Sequence, residues 1–169
     1  MTERMKGVVI GLVTDVDDPE ELGRVRVEFP WLSDDNVSDW ARVASALASS
    51  SLGMFFQPEV GDEALVAFEM DDIRRPYNPG FWWNGNKKPP VTEVAVRMIQ
   101  TVSGHKLIFD DTSGSEAVKI EDANGNKITL DANGVTIESA KDVTIKGQNV
   151  TIEATAKYTL KGNPIHLNP

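Results

Sequence analysis

The stretch that decides the fold is "NKITLDANGVTIESAKDVTIKGQNVTIEATAKYTLK", residues 126–161. Apolar pairs recur through it and just beyond, at Ile128/Leu130, Val135/Ile137, Val143/Ile145, Val150/Ile152, Tyr158/Leu160 and Ile165/Leu167. Thr129, Thr136, Thr144, Thr151 and Thr159 sit between the members of the first five pairs, and Asp131, Glu138, Lys146, Glu153 and Lys161 follow them. Successive side chains on a strand point to opposite faces. Each apolar pair therefore shares one face, and each threonine and charge shares the other. Turn-forming residues fill the gaps: "DANG" at 131–134, "SAKD" at 139–142, "GQN" at 147–149 and "GNP" at 162–164.

A fixed short period describes strands stacked as rungs of a solenoid. A three-sided coil uses about three rungs, so six rungs make only about two coils, fewer than the three or so repeats a solenoid needs to bury a continuous core. Three copies wound about one axis would close the prism and pool their apolar pairs. The expectation is an intertwined homotrimeric β-helix whose core is the twelve residues of the six pairs. Threonines and charges would form outward ladders that suit cross-strand contact and solubility. The competing reading is a small antiparallel meander, which needs neither so regular a spacing nor a threonine in the same slot.

Composition sets outer bounds. The chain has 169 residues, no cysteine and a net charge of −9. Disulfide frameworks and cysteine-based zinc sites are excluded. The acidic balance argues against binding a phosphate backbone, which needs a basic footprint. The amino-terminal "MTERMKGVVIG" has no apolar stretch of signal-peptide length, and no run approaches a membrane span.

The composition changes near residue 90. The first 90 residues hold all four tryptophans and most of the nine prolines; residues 100–169 hold no tryptophan and are rich in Thr, Ile, Val, Asn and Lys. Two domains are expected, 1–90 and 91–169, joined through "NGNKKPP" at 84–90. The first half reads as short strands, "GVVIGLVTDV", "GRVRVEFP", "DWARVAS", "GMFFQP" and "DEALVAFEM", followed by "RRPYNPGFWWNG". In "GRVRVEF", Val25, Val27 and Phe29 alternate with Arg24, Arg26 and Glu28. Strands at this spacing suggest a five-stranded Greek-key barrel of OB type. "ASALASSSL" at 44–52 fits one helical turn or, given three consecutive serines, a loop. In the second half "DDTSG" and "DANGN" mark tight turns between strands, with early rungs at about Leu107/Phe109 and Val118/Ile120.

Four pieces in this order, "GRVRVEFPW" at 23–31, "WARVAS" at 40–45, "GMFFQPEVGDEALVAFEMDD" at 53–72 and "RRPYNPGFWWNG" at 74–85, resemble the OB domain of the central spike family of contractile injection machines. That family includes phage baseplate spikes and the VgrG proteins of type VI secretion. "SGHKLIFDDTSG" at 103–114 resembles the start of the family's trimeric β-helix needle. The resemblance covers roughly residues 7 to 169. It implies a non-enzymatic homotrimeric spike at the baseplate centre or tube tip, assembled in the bacterial cytoplasm without a signal peptide and driven through a target-cell envelope. Larger VgrG proteins carry a baseplate-anchoring hub region ahead of the OB domain; this chain begins at the barrel, which implies a separate hub protein. No lysozyme domain separates barrel from needle, so no wall hydrolase is expected. There is no His-x-His of the kind that binds iron in some pointed tips, so a PAAR-type tip protein is implied at the carboxy-terminal end, on Asn163, Pro164, His166, Asn168 and Pro169.

His166 occupies the slot threonine takes on earlier rungs, so its ring points outward and away from an axial metal. His105 is a turn residue, and no nucleophile triad can be assembled from two histidines. "DVDDPEE" at 15–21 fails the EF-hand pattern, because the sixth and twelfth places hold Glu20 and Arg26. Asp131, Glu138 and Glu153 alternate with lysines on a slim prism, with no cleft for a glycosidase pair. No cofactor is expected. Phe81, Trp82 and Trp83 are consecutive, so at least one faces outward; with Arg74 and Arg75 they suit a hub or subunit interface. The competing function is an OB-type oligonucleotide- or oligosaccharide-binding module with a β-structured tail; a third reading is a carbohydrate-active tail fibre.

Overall fold

The computed structural model describes residues 4–32 and 36–166. The chain divides into two compact units, residues 1–90 and 91–169. Both are built of strands, and among the described residues the one helical element is a 3-10 turn at Glu69–Asp71.

The first unit is a barrel. Its strands are β1 (Val8–Asp15), β2 (Arg26–Glu28), β3 (Arg42–Val43), the pair β4 (Ala48–Ser49) and β5 (Leu52–Gly53), β6 (Glu63–Phe68) and β7 (Pro76–Phe81). Five of them form one sheet in the order β2-β1-β6-β7-β3. All neighbours are antiparallel except β3 and β7, which run parallel with Arg42 opposite Tyr77. The two ends of this order meet: Val25 and Ala41 exchange backbone hydrogen bonds of 3.0 and 2.8 Å. Closure removes the sheet edges that would otherwise invite pairing.

The alternation read in "GRVRVEF" decides the interior. Val25, Val27 and Phe29 are buried and pack with Val13, Ala41, Ala64, Val66 and Phe68. On the other face, the guanidinium groups of Arg24 and Arg26 lie 5.9 and 5.1 Å from the ring centre of Trp40. The barrel closes tightly at Gly11, where an added Cβ would fall 2.3 Å from Val27 Cγ1 and 2.7 Å from the Glu28 carbonyl oxygen.

The acidic segment after β1 is a turn organised by one carboxylate. Asp18 accepts hydrogen bonds from the backbone N–H groups of Glu20, Leu22 and Arg24 and from the Arg24 guanidinium at 2.7 and 3.0 Å. The Arg24 guanidinium, then the backbone donors, holds the Asp18 carboxyl well below the usual carboxylate range.

Two local readings change. "ASALASSSL" is neither a helical turn nor an irregular loop; it forms the β4–β5 ribbon, with Ala48 opposite Gly53 and Ser49 opposite Leu52, and the serines make its turn. "GMFFQP" contributes only Gly53 to a strand, and the fifth barrel strand comes instead from "PYNPGF". That segment, which the sequence reading left without an element of its own, carries prolines at 76 and 79. Its antiparallel pairing with β6 carries a register shift between Leu65 and Ala67, the kind of irregularity that accommodates proline.

The second unit is an antiparallel meander of β8 (Val96–Gln100), β9 (Lys106–Asp110), β10 (Ala117–Glu121), β11 (Lys127–Asp131) and β12 (Gly134–Glu138), in sequential order. The meander considered as a competing reading thus describes how a single chain pairs its early rungs, up to Val135/Ile137. From residue 139 to 166 no strand forms within the chain.

Candidate assembly surfaces

The register of the meander puts four of the twelve expected core residues, Ile128, Leu130, Val135 and Ile137, on one face with the early rungs. Ile99, Leu107, Ile120, Ile128 and Ile137 align across the five strands, since each is opposite the next. Phe109, Val118, Leu130 and Val135 form a second row two residues along. The opposite face carries Thr129 directly against Thr136, and ion pairs between Lys127 and Glu138 at 2.5 Å, Lys119 and Asp110 at 3.2 Å, and Lys106 and Glu121 at 3.9 Å. The split of apolar pairs from threonines and charges is therefore realised strand by strand.

That apolar face is uncovered. Val135 is 68% exposed and Ile137 62%, and all buried residues among those described belong to the first unit. An ordinary sheet of this size covers one face with another layer; this one has none in its own chain.

The later rungs extend the same condition. Val143, Ile145, Val150, Ile152, Tyr158, Leu160 and Ile165 are all exposed. Among the described residues, 142–166 make no hydrogen bond within the chain. Backbone N–H and C=O groups in folded structure are almost always paired, so a long ordered stretch with none is built to be completed by other strands. Leu167, the last expected core residue, lies outside the described residues, as do Asn168 and Pro169 of the expected tip-cap surface. Asn163, Pro164 and His166 of that surface are exposed and outside any strand.

The residues expected at a hub interface fall at the two ends of β7. Arg74 and Arg75 precede it and Phe81, Trp82 and Trp83 end and follow it, about 20 Å apart along six residues of strand. Both arginines are engaged: Arg74 holds Asp72 through two nitrogens at 2.8 and 3.0 Å, and Arg75 lies 3.8 Å from Glu69. The Arg74 guanidinium draws the Asp72 carboxyl down to about 2. Phe81, Trp82 and Trp83 are exposed, so the aromatic half of the patch is available and the basic half is neutralised.

A surface that sequence reasoning did not select is the β4–β5 ribbon. Leu47, Leu52, Met54, Phe55 and Phe56 are exposed there, beside a groove of about 680 Å³ lined also by Leu22, Val43 and Phe81. The available signal was the absence of charge from residue 44 to 58 in an otherwise charged chain.

The closed five-stranded barrel and the uncovered rung-bearing sheet together define a class: all-β proteins of two units, one a self-contained barrel and the other a sheet whose apolar face its own chain leaves open. Residues 9–83 match the type VI secretion system/phage-baseplate injector OB domain, and residues 96–157 match the phage baseplate V C-terminal trimerisation domain. The chain belongs to the VgrG-like baseplate spike family. It is 32% identical over 112 residues to the type VI secretion system spike protein VgrG3 of Vibrio cholerae, covering 59% of this chain and 11% of that protein. Identity to the actin cross-linking toxin VgrG1 of Vibrio cholerae is 29% over 59% of this chain and 10% of the toxin. Identity to the spike protein VgrG1a of Pseudomonas aeruginosa is 27% over 77% of this chain and 22% of that protein. The chain thus spans a small part of the length of the relatives it matches.

Proposed function

We propose that this chain is a non-enzymatic homotrimeric spike that stands at the centre of a baseplate or the tip of a tube and opens a target-cell envelope when the tube is driven forward. The observation that carries this reading is the pairing deficit of residues 142–166, together with the match of 96–157 to a trimerisation domain. Three chains braided about one axis would pair those backbone groups and enclose the apolar pairs. No chain could then leave without breaking contacts to two others, which gives the rigidity a penetrating point requires.

Further partners follow from the same reading. A separate hub protein would take the aromatic surface at Phe81, Trp82 and Trp83, and a PAAR-type tip protein would cap the end that carries Asn163, Pro164, His166, Asn168 and Pro169. The oligonucleotide reading is not favoured, because the chain is acidic overall and several of the barrel's arginines are spent on carboxylates: Arg24 on Asp18, Arg42 on Glu69, Arg74 on Asp72. A phosphate backbone would have to displace those pairs.

The test is the native mass of the purified full chain by light scattering, repeated after heating in detergent. Three times 18.5 kDa is expected, with resistance to dissociation. An ordered monomer at micromolar concentration would overturn the reading.

A further inference from the structure

We propose that the charges closing each rung set the register between copies: Glu138 of one copy faces Lys146 of a neighbour, Lys146 faces Glu153, and Glu153 faces Lys161, always between parallel strands one rung apart. This rests on the trimeric reading above. The rule already operates inside one chain. Lys106, Glu121, Lys127 and Glu138 form a single row across β9 to β12, each directly opposite the next. Lys106 pairs with Glu121, and Lys127 with Glu138. The row stops at Glu138 because β12 is the last strand of the sheet. The outer edge of β12 is open to a further strand, and a lysine there would continue the row. Along the sequence the alternation runs on unbroken through Lys146, Glu153 and Lys161, all exposed.

Strand direction excludes the chain's own Lys146. An antiparallel return from β12 would set the residue just ahead of the next apolar pair against Glu138. β11 supplies Lys127 in that place. The following rung supplies Asp142, and like charges directly opposite one another are unfavourable. A parallel neighbour instead brings Val143 to Val135, Thr144 to Thr136, Ile145 to Ile137 and Lys146 to Glu138. Parallel strands of one chain need a crossover of about a dozen residues or more, and only "SAKD" at 139–142 separates these two rungs. The parallel neighbour is therefore another copy.

Three-fold symmetry supplies it. Rotation about the axis keeps the sense in which a chain winds, so strands of different copies meet in parallel. It also puts equal-numbered rungs at one height on three different faces, so the strand stacked on a given rung is the next rung of a neighbour. A step of two rungs would set Glu138 against Glu153 and Lys146 against Lys161. Exposed ion pairs add little stability. Their use here is discrimination, because "VTI" recurs at 135–137, 143–145 and 150–152 and the other side chains cannot tell one rung from the next.

The chain has no cysteine, so thiols can be placed at will. The full chain carrying Glu138→Cys and Lys146→Cys loses both members of one pair and gains two thiols on adjacent strands, about 5 Å apart. A disulfide spans Cα atoms about 4.4–6.8 Å apart. Each chain is then bonded to both neighbours, so mild oxidation is expected to give a three-chain band in non-reducing denaturing electrophoresis. Glu138→Cys with Glu153→Cys places the thiols two strands apart, about 10 Å, and single chains are expected. Glu153→Cys with Lys161→Cys repeats the first result further along the needle. Trimers by light scattering in which neither adjacent pair links chains, disulfides closed within single chains, or equal linking through Glu138→Cys with Glu153→Cys would overturn the register while leaving the trimer intact. Removing one exposed pair should not prevent assembly, so loss of the trimer in both adjacent-pair variants would overturn the proposal as well. A monomer formed by the unsubstituted chain would remove the trimer, and the register with it.

Discussion

Ile145→Asp tests the inward face most directly. Ile145 is 70% exposed in the single chain and belongs to a segment that, among the described residues, makes no hydrogen bond with its own chain. Covering it fully in a trimer is worth about 1–2 kcal/mol per chain, taking ~1.5–3 kcal/mol for a whole buried isoleucine. Three copies lose about 3–6 kcal/mol when the side chain is replaced. Three carboxylates then meet near the axis, and each pair at ~6 Å repels by about 3 kcal/mol at an effective dielectric constant of ~20. The combined cost, on the order of 10 kcal/mol, is comparable to the whole stability of an ordinary domain. Light scattering at pH 7 should therefore show loss of the trimer. The introduced carboxyls would have raised values in the trimer, because like charges disfavour ionisation. Their neutral form permits association, so the trimer should return as pH falls toward about 4 and dissociate as pH rises again. A normal trimer at pH 7, indifferent to pH, would refute the inward assignment.

Thr144→Lys places a charge on the opposite face and should leave trimer mass and detergent resistance unchanged; its failure would reverse the faces. The barrel should lose stability on acidification, since the Asp18 carboxyl lies below its unfolded value: the contribution is complete above about pH 4 and disappears as pH falls through the folded value. Melting temperatures across pH 2 to 7 check this, and Asp18→Asn should flatten the acid limb while lowering the plateau. Gly11→Ala should destabilise the barrel by about 1–3 kcal/mol in denaturant titrations, because a Cβ would strike the Glu28 carbonyl, which is fixed in the sheet, as well as the buried Val27 side chain.

What could be read from the chain followed from periodicity. "GRVRVEF" announced its buried face because alternation has one physical meaning on a strand, and Val25, Val27 and Phe29 are inside. The apolar pairs at 128/130 and 135/137 fell on one face for the same reason. "PYNPGF" was harder, because two prolines outweigh apolar content in a single-sequence reading, whereas an irregular pairing tolerates them. The ribbon at 48–53 was obscured by three serines, which have no strand preference; its pairing is set by Leu47, Ser45 and Met54 around it. Arg74 and Arg75 looked free for an acidic partner because their local carboxylates, Asp72 and Glu69, precede them in a segment whose turn geometry is not periodic.

The two units differ in what completes them, and that difference orders assembly. The barrel encloses Val13, Val25, Val27 and Val66 with contacts from its own chain, so it can fold at any concentration. The second unit buries no described residue and leaves its later backbone unpaired, so ordering it costs about 1–2 kcal/mol per residue with little return until other copies arrive. On the trimeric reading, folding of the second unit is a concentration-dependent step that follows folding of the barrel. In the proposed trimer the same asymmetry would serve a spike. Hydrogen bonds shared among three chains would have to break together for one chain to escape, so the unfolding barrier would rise with every rung, and that rate rather than an equilibrium would resist load.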